Sequence, residues 1–93
     1  MEFEWDPQKE KLNLHKHGVP FSESIETFSD INGIELDDLK HSEIEIRLYW
    51  IGKTKNDRVL TTWFTRKDEI IRSIGSAEWR KFRKYYYETT QIK

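Results

Sequence analysis

The sequence of 93 residues predicts a single α+β domain, residues 1–93, in which two N-terminal helices and one C-terminal helix lie on one face of an antiparallel sheet of three to five strands. Two observations predict this class. The middle of the chain carries a clear alternation of apolar and polar residues, followed by two more strand-like segments with short polar links, as in an antiparallel meander. On both sides of it, capping residues and apolar residues at helical spacing indicate helices.

The first two elements are a short strand and a helix. Residues 1–5 alternate between glutamates and large apolar side chains, as in a strand. Asp6 and Pro7 then begin a helix, because aspartate is a good N-cap and proline is favoured at the first helical position. We expect this helix to end at His17, since Gly18 suits the left-handed conformation that closes a helix.

A second helix is predicted to begin at Ser22, which can act as its N-cap. Its apolar residues recur at i, i+4 and i+7 and predict a core face: Phe21, Ile25 and Phe28. A turn at Asn32 and Gly33 follows. Residues 34–42 are then expected to form a short acidic strand or loop.

The meander and the last helix fill the rest of the chain. The three predicted strands cover residues 43–51, 58–66 and 69–74. Gly75 is expected to break the third strand. Ser76 is expected to cap a helix over residues 77–89, with apolar and basic residues on different faces.

Composition and charge limit the function classes. There is no cysteine, which excludes a disulfide framework and thiolate zinc sites. The longest apolar run, residues 48–52, is too short to span a bilayer, so we expect a cytoplasmic protein with no membrane partner. Residues 1–46 hold 4 Lys/Arg against 12 Asp/Glu, whereas residues 47–93 hold 12 against 5. This asymmetry favours an anionic partner for the C-terminal half, unless folding brings the two halves together.

The histidines do not predict a metal site. His15 and His17 stand at i and i+2, which places them about 200° apart on a helix, so they do not converge on one ion. We interpret them as the end of a helix, and we expect neither a metal nor another cofactor. His41, beside Glu43 in a polar loop, could titrate near neutral pH, although a lone loop histidine is usually only solvated.

Arginines on the predicted strands are the candidates for chemistry. Arg47, Arg66 and Arg72 lie on three consecutive strands, and alternation places Glu45 on the face of Arg47. They could form ion pairs across the sheet with Glu45 or Glu69, or a cluster whose planar forks hold phosphate oxygens. A second basic group could hold a single strand of nucleic acid by charge, with stacking on nearby aromatic rings, or only be solvated: Arg58, Arg80, Arg83 and Lys84.

A series of short motifs covers nearly the whole chain in order: Phe3-Glu4-Trp5-Asp6, Asn13-Leu14, Lys16-His17-Gly18-Val19, Phe21, Phe28, Asp30, His41-Ser42, Glu45-x-Arg47, Gly52, Thr65-Arg66 and Ile71-Arg72-x-Ile74. The series resembles the BrnT-type toxins of bacterial type II toxin–antitoxin systems. The resemblance implies a fold similar to RelE-type ribonucleases and a toxin that inhibits translation by cleaving RNA. It also implies neutralisation by a ribbon-helix-helix antitoxin, in a complex of two toxins and two antitoxins that contacts DNA only through the antitoxin.

The residues fit that function in outline. Arg47, Arg66 and Arg72 can neutralise a phosphate in the transition state but cannot act as bases, since guanidinium stays protonated. His41 or Glu45 is the candidate general base, and the reaction needs no metal.

One departure from the family pattern leaves other functions open. The family usually has Ser-Ala-Arg after the Ile-Arg-x-Ile strand, where this chain has Gly75, Ser76 and Ala77. The expected arginine is absent unless Arg80 replaces it. The alternatives are a catalytically weakened homologue that acts as an antitoxin-binding co-repressor, or a nonspecific nucleic-acid-binding module.

Overall fold

A computed structural model describes residues 1–41 and 45–90. Its elements are, in chain order, strand β1 (Glu2–Trp5), helix α1 (Pro7–His17), helix α2 (Phe21–Ser24), a 3₁₀ helix (Ile25–Ser29), strand β2 (Ile34–Asp37), a second 3₁₀ helix (Leu39–His41), strands β3 (Arg47–Lys53), β4 (Val59–Lys67) and β5 (Ile70–Ala77), and helix α3 (Arg80–Thr90). The predicted α+β class is confirmed. No helix within the described ranges is long and apolar enough to cross a membrane.

The five strands form one mixed sheet in the order β1-β5-β4-β3-β2. β3, β4 and β5 pair antiparallel as predicted, and β2 pairs antiparallel with β3. β1 is the exception, because it runs parallel to β5. Parallel neighbours need a long connection. Here the connection between β1 and β5 consists of every element from α1 to β4.

Helix α1 has the boundaries that its sequence predicts. The Asp6 side chain accepts a hydrogen bond from the backbone N–H of Gln8, and Pro7 is the first helical residue. At the other end Gly18 adopts a φ of 69°, and its N–H donates to the carbonyl of Leu14 at 2.9 Å. The local capping residues therefore define both ends of this helix.

The predicted start of the second helix is wrong. Pro20, not Ser22, stands at the N-cap of α2, and it makes no side-chain cap bond. The Glu10 carboxylate on α1 instead accepts from the backbone N–H of Phe21 at 2.9 Å. A carboxylate from another helix thus satisfies one of the free N–H groups at the start of α2.

The segment after α2 tightens into a 3₁₀ helix. The hydroxyl of Ser24 donates to the carbonyl of Phe21, and the hydroxyl of Thr27 donates to the carbonyl of Ser24 at 2.6 Å. Such back-bonding competes with regular α-helical bonds and bends the chain. Phe21 is nevertheless fully buried, as the predicted core face requires.

The strands and helices enclose two apolar clusters on opposite faces of the sheet. Alternation along β3 separates the clusters. On the α2 face the cluster consists of Leu48, Phe64 and Ile71, with Phe3, Phe28 and Trp50 packed against it. On the α3 face it consists of Ile51, Val59 and Tyr86, with Ile34, Leu36, Phe82 and Tyr87. The prediction that all helices lie on one face of the sheet is therefore wrong. Both faces carry apolar side chains, and each face needs a helix to bury them.

Two strand boundaries differ from the prediction. β3 begins at Arg47 rather than at residue 43, and part of the predicted strand lies outside the described residues. β5 continues through Gly75 to Ala77 instead of ending at residue 74, so α3 begins only at Arg80. Gly75 is needed for a close approach rather than for a turn, because the Trp63 indole occupies the place where a Cβ would stand, 2.1 Å from Cζ2.

The side-chain amide of Asn13 explains why β5 continues. Its Nδ2 donates to the carbonyls of Ser76 and Val19, both at 2.9 Å, and its Oδ1 accepts from the Ser76 N–H at 3.0 Å. Asn13 is only 6% exposed. The amide thus replaces a neighbouring strand along the part of β5 that β1 does not reach.

Asp30 anchors α3 to the rest of the molecule. One carboxylate oxygen accepts from the Tyr86 hydroxyl at 2.5 Å and from the Lys53 N–H at 2.8 Å, and the other accepts from the Asn32 N–H at 2.9 Å. Burial favours the neutral acid, but these hydrogen bonds outweigh it and hold the pKa of Asp30 below its ordinary value of 3.8. The ionised carboxylate is therefore the form that the fold stabilises.

We expect Asp30 to make the free energy of unfolding depend on pH in the acid range. Because its pKa is lower in the folded chain than in the unfolded chain, its contribution is present above about pH 4 and is lost as pH falls through the folded pKa. Asp30→Asn should cost about 1.5–3 kcal/mol at pH 7, the range for hydrogen bonds to a charged group, and less near pH 3, which is below the ordinary pKa of 3.8. Urea unfolding at both pH values measures this, with the exposed Asp37→Asn as the control. An equal loss at both pH values would contradict the assignment.

Candidate functional site

A ladder of four paired residues crosses the sheet on the α3 face. Glu4 on β1 pairs with Arg72 on β5, Arg72 pairs with Thr65 on β4, and Thr65 pairs with Arg47 on β3. Directly paired residues point to the same side of a sheet. The register therefore places two of the three predicted arginines on one face, separated by a threonine.

Arg72 holds an ion pair that differs from both predicted ones. Its guanidinium bonds the carboxylate of Glu4 rather than that of Glu45 or Glu69, and both side chains are 48% exposed. A pair this exposed is worth at most about 1 kcal/mol. Glu4 thus orients the guanidinium and leaves it accessible to an anion that binds more strongly.

The Arg47 end of the ladder is more enclosed. The Asp38 N–H donates to the Arg47 carbonyl at 2.9 Å, and Asp38 is 5% exposed. Burial and the hydrogen-bonded Asp38 carboxylate raise the pKa of Tyr49, while Arg47 opposes that shift. Tyr49 therefore stays protonated at neutral pH and donates to Asp38.

The structure brings Glu45 to the Arg72 end of the ladder. A cavity of about 170 Å³ is lined by Glu45, Thr65, Arg72 and Glu4, together with residues of the turn between β4 and β5. The candidate base and one of the arginines predicted to hold phosphate thus share one opening. The side chain of His41, the other candidate base, lies outside the described residues.

The structure does not bring Arg66 to this group. Arg66 follows Thr65 on β4, so it points to the α2 face, where it pairs with Ile71 in the register. Its guanidinium lies 5.6 Å from the centre of the Phe64 ring and bonds Glu35 at 2.5 Å. The predicted cluster of three arginines is therefore two arginines on one face and one on the other.

Ion pairs hold two of the four residues predicted to bind RNA. Arg58 bonds Glu23 at 2.6 Å and Glu78 at 3.4 Å, and Arg83 stands 3.9 Å from Glu78. Arg80 and Lys84 are exposed on α3. Arg58, Arg66 and Arg72 each pair with a carboxylate from the acidic half of the chain. Folding therefore neutralises part of the charge difference between the two halves.

The two adjacent histidines diverge as predicted. His15 is exposed, whereas the His17 ring stands edge-on to Trp63 at 5.8 Å and to Trp79 at 6.5 Å. Burial, followed by the charge of Lys16, lowers the pKa of His17, so it is neutral at pH 7. Across residues 1–41 and 45–90, no three histidine, aspartate or glutamate side chains gather as metal ligands would.

Aromatic side chains beside the ladder were missed by the sequence reasoning. Trp63 and Trp79 are stacked, with ring centres 4.9 Å apart and planes within 5°. Tyr49 and Phe82 flank Trp79 at 6.4 and 5.9 Å. Alternation along β4 puts Trp63 on the side of Thr65, which is a signal in the sequence, whereas Trp79 lies in the predicted last helix and precedes the observed α3.

Comparison with known proteins identifies the family. Residues 5–82 match the sequence profile of the family described as ribonuclease toxin, BrnT, of type II toxin–antitoxin system. The chain belongs to the BrnT family of ribonuclease toxins. The match to BrnT sequences includes Arg72 and Arg47 but not Glu4 or most of α3. No curated protein sequence matches the chain significantly.

A solved BrnT structure has the same fold. The crystal structure of the Brucella abortus ribonuclease toxin BrnT superposes with a TM-score of 0.62 at 21% sequence identity. The alignment covers 85% of this chain and 96% of that one. The likeness supports the α+β fold described above, with its five-stranded mixed sheet and its helices.

Proposed function

We propose that this chain is a metal-independent endoribonuclease, the toxin of a type II toxin–antitoxin system, which inhibits translation by cleaving RNA. The observation that carries the proposal is the ladder on the α3 face, where Arg47 and Arg72 flank Thr65 and Glu45 opens into the same cavity as Arg72. In a member of a ribonuclease toxin family, this is the described surface best suited to a phosphate and its attacking group.

The groups fit the needs of RNA cleavage. The reaction must deprotonate a 2′-hydroxyl, stabilise the charge on the phosphate oxygens and protonate the leaving 5′-oxygen. Arg72 can give two parallel N–H donors to a phosphate, and Arg47 adds positive charge at the other end of the ladder. Glu45 or His41 is the candidate base that takes the proton of the 2′-hydroxyl.

The partner that we propose is a ribbon-helix-helix antitoxin in the cytoplasm. In the expected complex, two toxins and two antitoxins repress their own operon, and DNA contacts only the antitoxin. The antitoxin would neutralise the toxin by covering the ladder or by competing with RNA for it.

RNA cleavage by the purified, antitoxin-free chain tests the proposal. We expect a labelled single-stranded RNA to be cut in the presence of EDTA and to leave 2′,3′-cyclic phosphate ends. The same RNA with 2′-deoxy nucleotides should stay intact, because it lacks the attacking hydroxyl. Expression alone should arrest growth, and coexpression of the antitoxin should restore it. Intact RNA after incubation with folded protein would overturn the proposal.

One observation favours a catalytically weakened homologue as the second candidate. Ala77 stands where the family usually has arginine, and it is 1% exposed. Its neighbours Gly75 and Ser76 are occupied by contacts with Trp63 and Asn13. If this candidate holds, expression is harmless while the antitoxin still binds tightly. A nonspecific binding module would instead show affinity that falls steeply with salt, without cleavage.

A further inference from the structure

Two indole rings rise from the sheet beside the ladder. Trp63 lies across Gly75, where an added Cβ would be 2.1 Å from its Cζ2, and Trp79 is stacked on Trp63 with planes within 5°. The order outward from the sheet is therefore the backbone of residue 75, then Trp63, then Trp79. Trp79 is partly exposed.

The opposite face of the sheet contains a similar arrangement, in which further rings pack against the outer ring. There Trp50 lies across Gly33, and Phe28 stacks on Trp50 at 5.2 Å with planes within 11°. Phe28 is covered in turn by Phe3 and Phe64, whose ring centres lie 5.2 and 5.3 Å from its own. On the α2 face the outer ring of the stack, Phe28, is therefore partly buried and packed against two further rings.

On the α3 face the outer ring of the stack, Trp79, is partly exposed. The other rings near Trp79 are those of His17, Tyr49 and Phe82, which make angles of 87°, 72° and 34° with it. Within the described part of the chain, Trp63 is thus the one ring parallel to Trp79. Among the described residues, no further ring stacks in parallel on the face of Trp79 that points away from Trp63.

We propose that this outer side of Trp79 stacks an unpaired base of single-stranded RNA. The inference deepens the proposed function and rests on it. Trp63 and Thr65 are two residues apart on β4, which separates the stack from the ladder by about 7 Å. A base on Trp79 would then lie beside a phosphate on Arg72. Double-stranded RNA keeps its bases stacked on one another, so the substrate class is single-stranded.

The surroundings of the stack fit a polyanion. A cavity of about 260 Å³ between α1 and the sheet reaches Trp63 and His17, and its rim carries Lys9 and Lys16. In proteins that bind single strands, basic side chains lie along the phosphate backbone of the RNA. An aromatic ring adds a stacking contact with a base that does not depend on charge. This combination is typical of single-strand binding without strong base preference.

A pair of oligonucleotides separates stacking from charge. The first is a single-stranded 2′-O-methyl RNA, which cannot be cleaved, and the second has the same length and phosphates but only abasic nucleotides. We expect the protein to bind the first about 5- to 150-fold more tightly, the ratio that corresponds to 1–3 kcal/mol for one stacked base. Trp79→Ala should bind both equally, whereas Trp79→Phe should keep part of the preference.

Tyr85→Ala is the matched control, because Tyr85 is 41% exposed on the same helix and takes part in none of the ring contacts among the described residues. It should bind like the unchanged protein. If Trp79→Ala does not fold, partial preference in Trp79→Phe carries the test. A base preference that survives in Trp79→Ala would overturn the stacking, and so would equal binding of both oligonucleotides by the unchanged protein.

The outcome is independent of cleavage. A protein that prefers bases through Trp79 but leaves natural RNA intact would refute the nuclease alone. A protein that cleaves RNA while binding both oligonucleotides equally would refute the stacking alone.

Discussion

Asn13→Ala is expected to lower the free energy of unfolding by about 3–5 kcal/mol, because three buried main-chain groups lose their partner at once. The Ser76 N–H and the carbonyls of Ser76 and Val19 are too enclosed for water to replace the amide fully. In a domain of this size such a loss lowers Tm by roughly 12–40 °C. Urea unfolding followed by circular dichroism measures it.

Two further variants keep this prediction falsifiable. Asn32→Ala removes an exposed asparagine and should change stability by less than about 0.5 kcal/mol. Asn13→Asp keeps the acceptor for Ser76 but turns a carboxylate towards two carbonyls, so it should be more stable at pH 5 than at pH 7, as its carboxyl pKa rises on folding. A small loss in Asn13→Ala, similar to that of the control, would show that β5 does not depend on the amide.

Arg72→Ala is expected to lower kcat/KM for RNA cleavage by about 10²–10³-fold, the cost of removing one donor that stabilises charge in a transition state. Arg66→Ala provides a closely matched control. Both arginines lie on strands, both pair with a glutamate of another strand, and they are 48% and 39% exposed. They differ in the face of the sheet on which they lie, so Arg66→Ala should stay within about threefold of the unchanged protein.

Single-turnover cleavage of one labelled RNA by both variants makes the comparison. Equal thermal stability of the two variants would show that the difference concerns the reaction. If both lose activity equally, or if Arg66→Ala loses more, the ladder on the α3 face is not the site of cleavage.

The parts of the fold that were predicted are those governed by neighbouring residues. Asp6, Pro7 and Gly18 define α1 because a cap acts within a few residues. The strands of the meander follow from alternation. The end of β5 could not be predicted in this way, because Gly75 and Ser76 look like a turn until Trp63 and Asn13, far away in the sequence, are placed against them.

The candidate site depended on the same distant information. The residue types were found in the sequence, but their faces follow from register, which alternation within one strand does not give. Glu4 reaches Arg72 only because β1 joins β5 in parallel, 68 residues later. The register of β4 and β5 shifts by one residue at Trp63 and Phe64. Because of this shift Gly75 and Arg72, which are three residues apart, lie on the same face of the sheet. In a regular strand they would lie on opposite faces.

The amide of Asn13 also affects whether two molecules of this protein can pair through the edges of their sheets. A strand with unpaired N–H and C=O groups invites another chain to pair with it, and proteins protect such edges. β5 has β1 beside its first half and Asn13 bonded at Ser76 beyond it, so a second molecule finds part of this edge occupied. At the other edge, β2 carries Glu35 and Asp37, whose like charges oppose pairing with the same strand of another molecule. One buried asparagine thus protects part of a sheet edge as well as stabilising the fold.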